Sequence, residues 1–490
     1  MNISYKSTRS DKTITASQAI LKGISDEGGL FVPTAFPQID LENLVHKSYK
    51  EICYSILSKY LPEFSENHLK DIIGKAYDKF SVPKVAPVVS FGNRHILELF
   101  HGPTLAFKDV ALSILPYLIQ VSAKLQNVED KIVILTATSG DTGKAALEGF
   151  ANVENTKIIV FYPSEGVSSI QKRQMTSQVG NNVYVLGIEG NFDDAQNGVK
   201  SIFSNKEFKE KLKSEKIILS SANSINIGRL LPQVVYYFSS YMELVQKGAI
   251  ALNDSVNFTV PTGNFGDILA GYYAKKMGLP IHKLLCASNS NNVLYDFFKT
   301  GTYNKNREFI KTISPSMDIL ISSNFERMLY HASNNDQELI VNLMEELNTK
   351  GSYTIPEEMK SGISELFYGS YSDEESTKKV IGQVYEEYNY VLDPHTAVAY
   401  KVCEDYVKNT SDERTNIILS TASPFKFPEA VYESIFKNSD LEVYELIDKL
   451  AQKTSLTIPE PIKKLKDSAI LHKKVISSDE MKEAVGEILL

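Results

Sequence analysis

From Lys131 onward, short runs of β-branched and other apolar residues recur, each closed by a turn and most followed by a helical pattern. The runs are 131-KIVILTAT, 157-KIIVFYP, 183-VYVLGIEG, 216-KIILSSA, 256-VNFTVP, 283-KLLCAS and 416-NIILSTAS. Near-continuous apolar runs are what strands covered on both faces require, and their alternation with helices predicts βαβ units in a mostly parallel sheet. Helix candidates between them include 142-TGKAALEGFANV, 193-DDAQNGVKSIF, 227-IGRLLPQVVYYFSSYMELV and 268-ILAGYYAKKMG. The expected class is therefore α/β.

The first ninety residues differ. After a turn-rich opening with 26-DEGGLFVP, apolar residues from Leu41 to about Phe80 fall at helical spacing, which predicts an amino-terminal helical domain over 1–90. The catalytic core is expected over 91–430, with a smaller mobile lobe at about 131–235 and a helical insertion at about 292–390. A carboxy-terminal helical segment is expected over 431–490. At 490 residues, two to four domains are the natural expectation.

Composition narrows the function. With 52 basic against 60 acidic residues, a net charge of −8 and no long basic block, the footprint of a nucleic-acid binder is missing. No run approaches the roughly 18 apolar residues of a membrane span. The polar opening MNISYKSTRSDKTIT lacks the order of a secretory signal, so the mature chain is expected to start at Met1 and to be cytoplasmic. Cys53, Cys286 and Cys403 are odd in number and far apart, which suits buried thiols in a reducing compartment.

In open α/β sheets ligands bind beyond the carboxyl ends of the strands, so the turns there are where chemistry is sought. One turn is 136-TATSGDTGKAA, in which small residues and two glycines lead into a helix whose N–H groups suit an anion. A P-loop is rejected, because Thr138 and Ala145 stand where that motif needs glycine and Ser or Thr. A second turn, 260-VPTGNFGDILAGYYAKK, places Gly263 and Gly266 around Asn264 and Phe265 before a helix, where successive N–H groups and the helix dipole would hold a phosphate. In 98-ELFHGPTLAFKDVALSILPYL, Lys108 sits where an apolar helical pattern begins. Desolvation there favours the neutral amine and Schiff-base chemistry. The eight histidines show no metal-ligand spacing; His101 and His395 lie in turn-like segments and are candidates to line a pocket. No GxGxxG follows a strand and no GxSxG occurs, so dinucleotide binding and a serine-hydrolase elbow have no support.

These residues together resemble a known family. HGPTLAFKD (His101 to Asp109) is similar to the cofactor-lysine motif of the threonine synthases, and TSGDTG (Thr138 to Gly143) to their substrate loop. Further similarities are GNFGDILAG (Gly263 to Gly271), SANSINIGR (Ser221 to Arg229), PSMDILISSNFER (Pro315 to Arg327) and DPHTA (Asp393 to Ala397). The likeness is to the longer type, with an extra amino-terminal domain and a helical insertion. One departure is TASPFKF from Thr421, where many members read TAHPAKF, so Ser423 takes the place of a histidine. The residues around Lys108 differ from those of cysteine synthases and threonine dehydratases.

The resemblance implies a two-lobed, fold-type-II enzyme using pyridoxal 5'-phosphate. Lys108 would hold the cofactor and, once released, act as the base. Gly263, Asn264, Phe265, Gly266 and Asp267 would cradle its phosphate, and Thr421 would meet the pyridine nitrogen as a neutral partner. Ser139, Gly140, Asp141 and Thr142 would surround the substrate, with Lys144, Arg173 and Arg229 as candidates for its phosphate. Asp141 stands where many relatives of the fold place an asparagine near the phenolic oxygen. The implied reaction converts O-phospho-L-homoserine and water to L-threonine and phosphate by β,γ-replacement, in a lyase of threonine biosynthesis acting as a monomer or homodimer. Two rivals follow from the same residues: a lyase that gives 2-oxobutanoate and ammonia, and a silent ligand-binding protein that kept the fold. Intact Lys108 and both anion loops argue against the second.

Overall fold

The computed structural model describes residues 3–490 apart from Ser139, Gly166, Asn438, Ser439 and the side chain of Asp193. Its centre is two parallel sheets. The larger has six strands in the order Phe367–Tyr371, Ile281–Ser288, Val256–Pro261, Asn416–Ser420, Arg94–Glu98 and Val88–Phe91. Every neighbouring pair is parallel except the last. The smaller has five parallel strands in the order Val475–Ser477, Val183–Glu189, Thr156–Pro163, Lys131–Ala137 and Ile217–Ser220.

The β-branched runs form these strands because both faces of each are covered: every residue of Val256–Pro261 and of Asn416–Ser420 is buried, as are all but the first of Lys131–Ala137. The helix Ile227–Gln246, about 30 Å long at 1.5 Å per residue, is buried along most of its length and packs against the helices Gly266–Lys276 and Tyr49–Tyr60. Asn226 caps it by accepting from the Gly228 N–H.

Three features add to the sequence pattern. The amino-terminal region carries, besides its helices, a three-stranded antiparallel sheet of Tyr5–Ser7, Thr13–Ile14 and Phe31–Pro33. The insertion is mostly helical but contributes Phe367–Tyr371 to the edge of the larger sheet. The carboxy-terminal helices are followed by Val475–Ser477, which pairs in parallel with Val183–Glu189. None of these strands exceeds five residues, too short for a periodic signal.

The three cysteines are buried and unbridged. Burial pushes the Cys286 thiol up to about 12 and that of Cys403 to about 11, so neither is a ready nucleophile. Among the described residues no helix is long and apolar enough to cross a membrane.

Candidate active site

A cavity of about 2410 Å³ opens beyond the carboxyl ends of strands from both sheets, lined by Thr138, Thr262 and Thr421, each just past its strand. Lys108 reaches it from the start of the helix Lys108–Leu112. The segment before the helix is zipped onto the one after Asn416–Ser420: Phe107 N–H donates to Thr421 O (2.9 Å), Ser423 N–H to Leu105 O (3.0 Å) and Leu99 N–H to Ser420 O (2.9 Å). Gly102 lies where a Cβ would stand 2.4 Å from Asp109 Cβ, so no larger residue fits that turn as built. Asp109 in turn accepts from the Thr104 N–H (2.7 Å) and hydroxyl (2.6 Å). Burial raises its carboxyl to about 6.

The Lys108 side chain is 12% exposed, with Nζ over the Phe107 ring. Nζ donates to Ser316 Oγ (3.1 Å) and lies 3.9 Å from Asp141 Oδ2. Burial pushes the amine down to about 8; the Lys426 and Arg229 cations push the same way, and Asp141 and Asp109 oppose. A lysine in this state has roughly a tenth of its amine neutral at pH 7, far more than an ordinary lysine, and the neutral form is what attacks an aldehyde.

The turn after Val256–Pro261 has the geometry of an anion cradle. Phe265 adopts the left-handed conformation (φ 60°) and precedes the helix Gly266–Lys276. Among the described residues the N–H groups of Gly263, Asn264, Phe265, Gly266 and Asp267 have no acceptor, so successive donors meet the cavity at a helix amino terminus. The turn is held from behind, where Asn264 O accepts from the Asn324 N–H and side chain (both 3.1 Å) and Gly263 O from Ser322 Oγ (2.7 Å). The fully buried Arg327 donates to Asn324 Oδ1, Phe31 O and Ile225 O, tying the amino-terminal sheet and the Ser221–Arg229 segment to the same place.

The Asp267 side chain is not part of the cradle. It turns away to accept from the Tyr236 (2.5 Å) and Tyr237 (3.1 Å) hydroxyls, and burial lifts its carboxyl to about 7. A carboxylate facing a phosphate would repel it; the tyrosines remove that conflict, leaving the backbone N–H to point at the site.

In the 138–143 loop, Thr138 Oγ1 accepts from the Gly140 (3.0 Å) and Gly143 (2.9 Å) N–H groups. Gly140 has φ 148°, and a Cβ there would meet the Gln171 amide at 2.5 Å. Asp141 opens the helix Asp141–Phe150 and lines the cavity with Thr142. Burial lifts the Asp141 carboxyl, but the Lys426 and Lys108 cations outweigh it and hold it well below the usual carboxylate range. Ser139 lies outside the described residues.

Arg229 lines the cavity from the front of Ile227–Gln246, donating from Nη1 to Ala222 O (3.1 Å) and leaving a buried Nε without a partner among the described residues. Burial lowers its guanidinium to about 10. The other two cationic candidates are engaged elsewhere. Lys144 pairs with Glu148 (3.1 Å) one helical turn on and with Gln178, and does not line the cavity. Arg173 donates to Ser468 O (2.7 Å) and Lys466 O (3.3 Å) of the carboxy-terminal segment. His101 faces Glu98 (2.8 Å) outside the cavity, whereas His395 lines it and accepts at Nε2 from the Ser316 N–H (3.2 Å).

Two residues that sequence reasoning did not single out complete the site. Ser316 contacts both functional elements: its hydroxyl takes the Lys108 proton donor, and its carbonyl would lie 2.8 Å from a Cβ on Gly263. Lys426, fully buried, pairs with Asp141. The segments PSMDILISSNFER and TASPFKF carried both, without a spacing that marked either. Together, an amine of lowered basicity, a turn of unpaired N–H groups beside it and a neutral hydroxyl at Thr421 fit pyridoxal phosphate.

Comparison with known proteins agrees. A family model described as pyridoxal-phosphate dependent enzyme matches residues 96–421. Models described as threonine synthase N terminus and threonine synthase, C-terminal, match 4–77 and 396–476. The threonine synthase of Saccharomyces cerevisiae is 39% identical over 487 residues, covering 92% of this chain and 93% of that protein. Threonine synthase-like 1 of Homo sapiens is 41% identical over 434 residues, covering 86% of this chain and 58% of that one. Among solved structures, the PLP-bound threonine synthase from Brucella melitensis superposes with a TM-score of 0.88 at 38% identity, over 99% of this chain and 98% of that one.

Proposed function

This chain belongs to the threonine synthase family, and from that premise we propose that it converts O-phospho-L-homoserine and water to L-threonine and phosphate by β,γ-replacement. The observation that carries the proposal is the junction at Ser316, which touches the Lys108 amine and the Gly263 turn at once. The proposed covalent anchor and phosphate cradle would thereby be held side by side.

Pyridoxal phosphate, when bound, supplies the electron sink that makes protons at the substrate's Cα and Cβ removable. Lys108 Nζ would hold its aldehyde carbon, and the N–H groups of residues 263–267 would hold its phosphate. Thr421 would meet the ring nitrogen with a hydroxyl, which leaves that nitrogen uncharged and favours elimination and replacement. Lys108 Nζ would also be the base that takes the protons from the substrate's Cα and Cβ. Its lowered basicity keeps a usable fraction neutral at physiological pH. Thr142 and backbone N–H groups of the loop would grip the α-carboxylate, Asp141 would stand near the cofactor's phenolic oxygen, and the guanidinium of Arg229, which lines the cavity, would meet the substrate's phosphate.

The test is product analysis of the purified protein with pyridoxal phosphate and O-phospho-L-homoserine. Threonine and phosphate are expected in equal amounts; 2-oxobutanoate and ammonia instead would assign the other lyase activity. Lys108→Ala is expected to lose the visible cofactor absorbance and all turnover, and threonine formation by that variant would refute the assignment.

A further inference from the structure

We infer that Lys426 is a positioning residue for the Lys108 nitrogen, acting through Asp141, whose one carboxylate oxygen it occupies so that the other is held facing the amine. Lys426 Nζ donates to Asp141 Oδ1 (2.7 Å) and to Thr104 O (2.8 Å). Gln171 Nε2 donates to the same Oδ1 (2.8 Å). The carboxylate is thus divided: Oδ1 is saturated by two donors, and Oδ2 faces Lys108 Nζ at 3.9 Å.

The partners come from separate parts of the fold. Asp141 follows a strand of the five-stranded sheet, whereas Lys426 and Thr104 follow strands of the six-stranded one. The same Thr104 clamps Asp109, the residue next to Lys108. One fully buried ammonium therefore fixes the segment before Lys108, the 138–143 loop and the turn after Thr421 in mutual register.

Stability does not account for the pair. The cost of removing two charges from water roughly cancels their attraction, and apolar residues of similar volume would serve the fold as well. What a hydrophobic substitute would not supply is a carboxylate of fixed charge and direction beside the reacting nitrogen. The charged groups facing Lys108 are Asp141 and Asp109 on one side and Lys426 and Arg229 on the other. Removing Lys426 deletes a cation that lowers the amine's basicity and frees Asp141 to approach it.

The inference rests on the proposed role of Lys108, and the test separates the two. The visible absorbance of the cofactor in the holoenzyme is titrated with pH in the wild type, K426M, K426R, D141N and K426M/D141N. K426M is expected to raise the midpoint by about one pH unit or more, roughly tenfold in proton affinity. K426R keeps the cation and is expected to leave the midpoint in place. D141N removes the carboxylate while keeping Lys426 and is expected to lower it. If Lys426 acts through Asp141, the shift caused by K426M shrinks to about half or less in the D141N background. A midpoint unchanged in either K426M or D141N, or an undiminished shift in the double variant, would overturn the inference. Should K426M fail to fold, D141N decides alone, and an unmoved midpoint there overturns it. A wild type without cofactor absorbance at any pH would instead refute the role of Lys108 itself.

Discussion

Adding one methyl group at Gly263 tests the Ser316 junction directly. An alanine Cβ would stand 2.8 Å from Ser316 O and 3.4 Å from Met317 Cα. The nearer contact is with backbone, so no side-chain rotation relieves it; the 315–317 turn must retreat by roughly half an ångström to reach an ordinary separation. That turn is pinned on its other side by the His395 Nε2 bond to the Ser316 N–H and carries the hydroxyl that holds Lys108. Overpacking of this kind costs about 1–3 kcal/mol. Relieved by moving the cradle away from the amine, it should weaken pyridoxal phosphate binding by about tenfold to a hundredfold. The assay is a fluorescence or absorbance titration of apoenzyme with the cofactor, with circular dichroism to confirm that the variant is folded. A folded Gly263→Ala protein that binds the cofactor within about twofold of the wild type would refute the claim that Ser316 couples turn to amine.

Three further outcomes are expected. Arg229→Met removes a guanidinium that lines the cavity and should raise KM for O-phospho-L-homoserine by about tenfold or more, as losing a charged hydrogen bond does, while cofactor affinity stays unchanged; a KM within twofold would remove Arg229 from the substrate site. Thr421→Val should retain the cofactor absorbance, because the backbone bond from Phe107 to Thr421 O survives, yet lower kcat by about tenfold; loss of the cofactor would show a packing role instead. Apoenzyme should capture pyridoxal phosphate faster as pH rises through about 8. Burial lowers the Lys108 amine to that value, and only the neutral form attacks; in stopped-flow traces a rate flat from pH 7 to 9 would contradict it.

The parallel sheets were legible because strands covered on both faces cannot alternate polar with apolar residues, and 131-KIVILTAT and 416-NIILSTAS say so locally. Lys108 and the 263–267 turn were legible because each is a local device, a lysine at an apolar helix start and two glycines before a helix. Lys426 and Ser316 were not: each gains its meaning only from partners hundreds of residues away, and alone each is an ordinary lysine or serine. Direction was equally hidden. Asp267 belongs to the cradle by position, but tyrosines of another helix decide where its carboxyl points. Lys144 follows the glycine loop, yet Glu148 one turn along and Gln178 claim it.

The pairing of Val475–Ser477 with Val183–Glu189 has a consequence for biosynthesis. The partner of Gly187 is Val475, so the outermost row of N–H and C=O groups on the smaller sheet stays uncovered while four of the six strands of the larger sheet are being translated. An open strand margin of that kind invites pairing with a neighbouring nascent chain. Ribosome-bound intermediates of this protein are therefore where chaperone protection matters most, and the last strand to emerge is the one that ends the exposure.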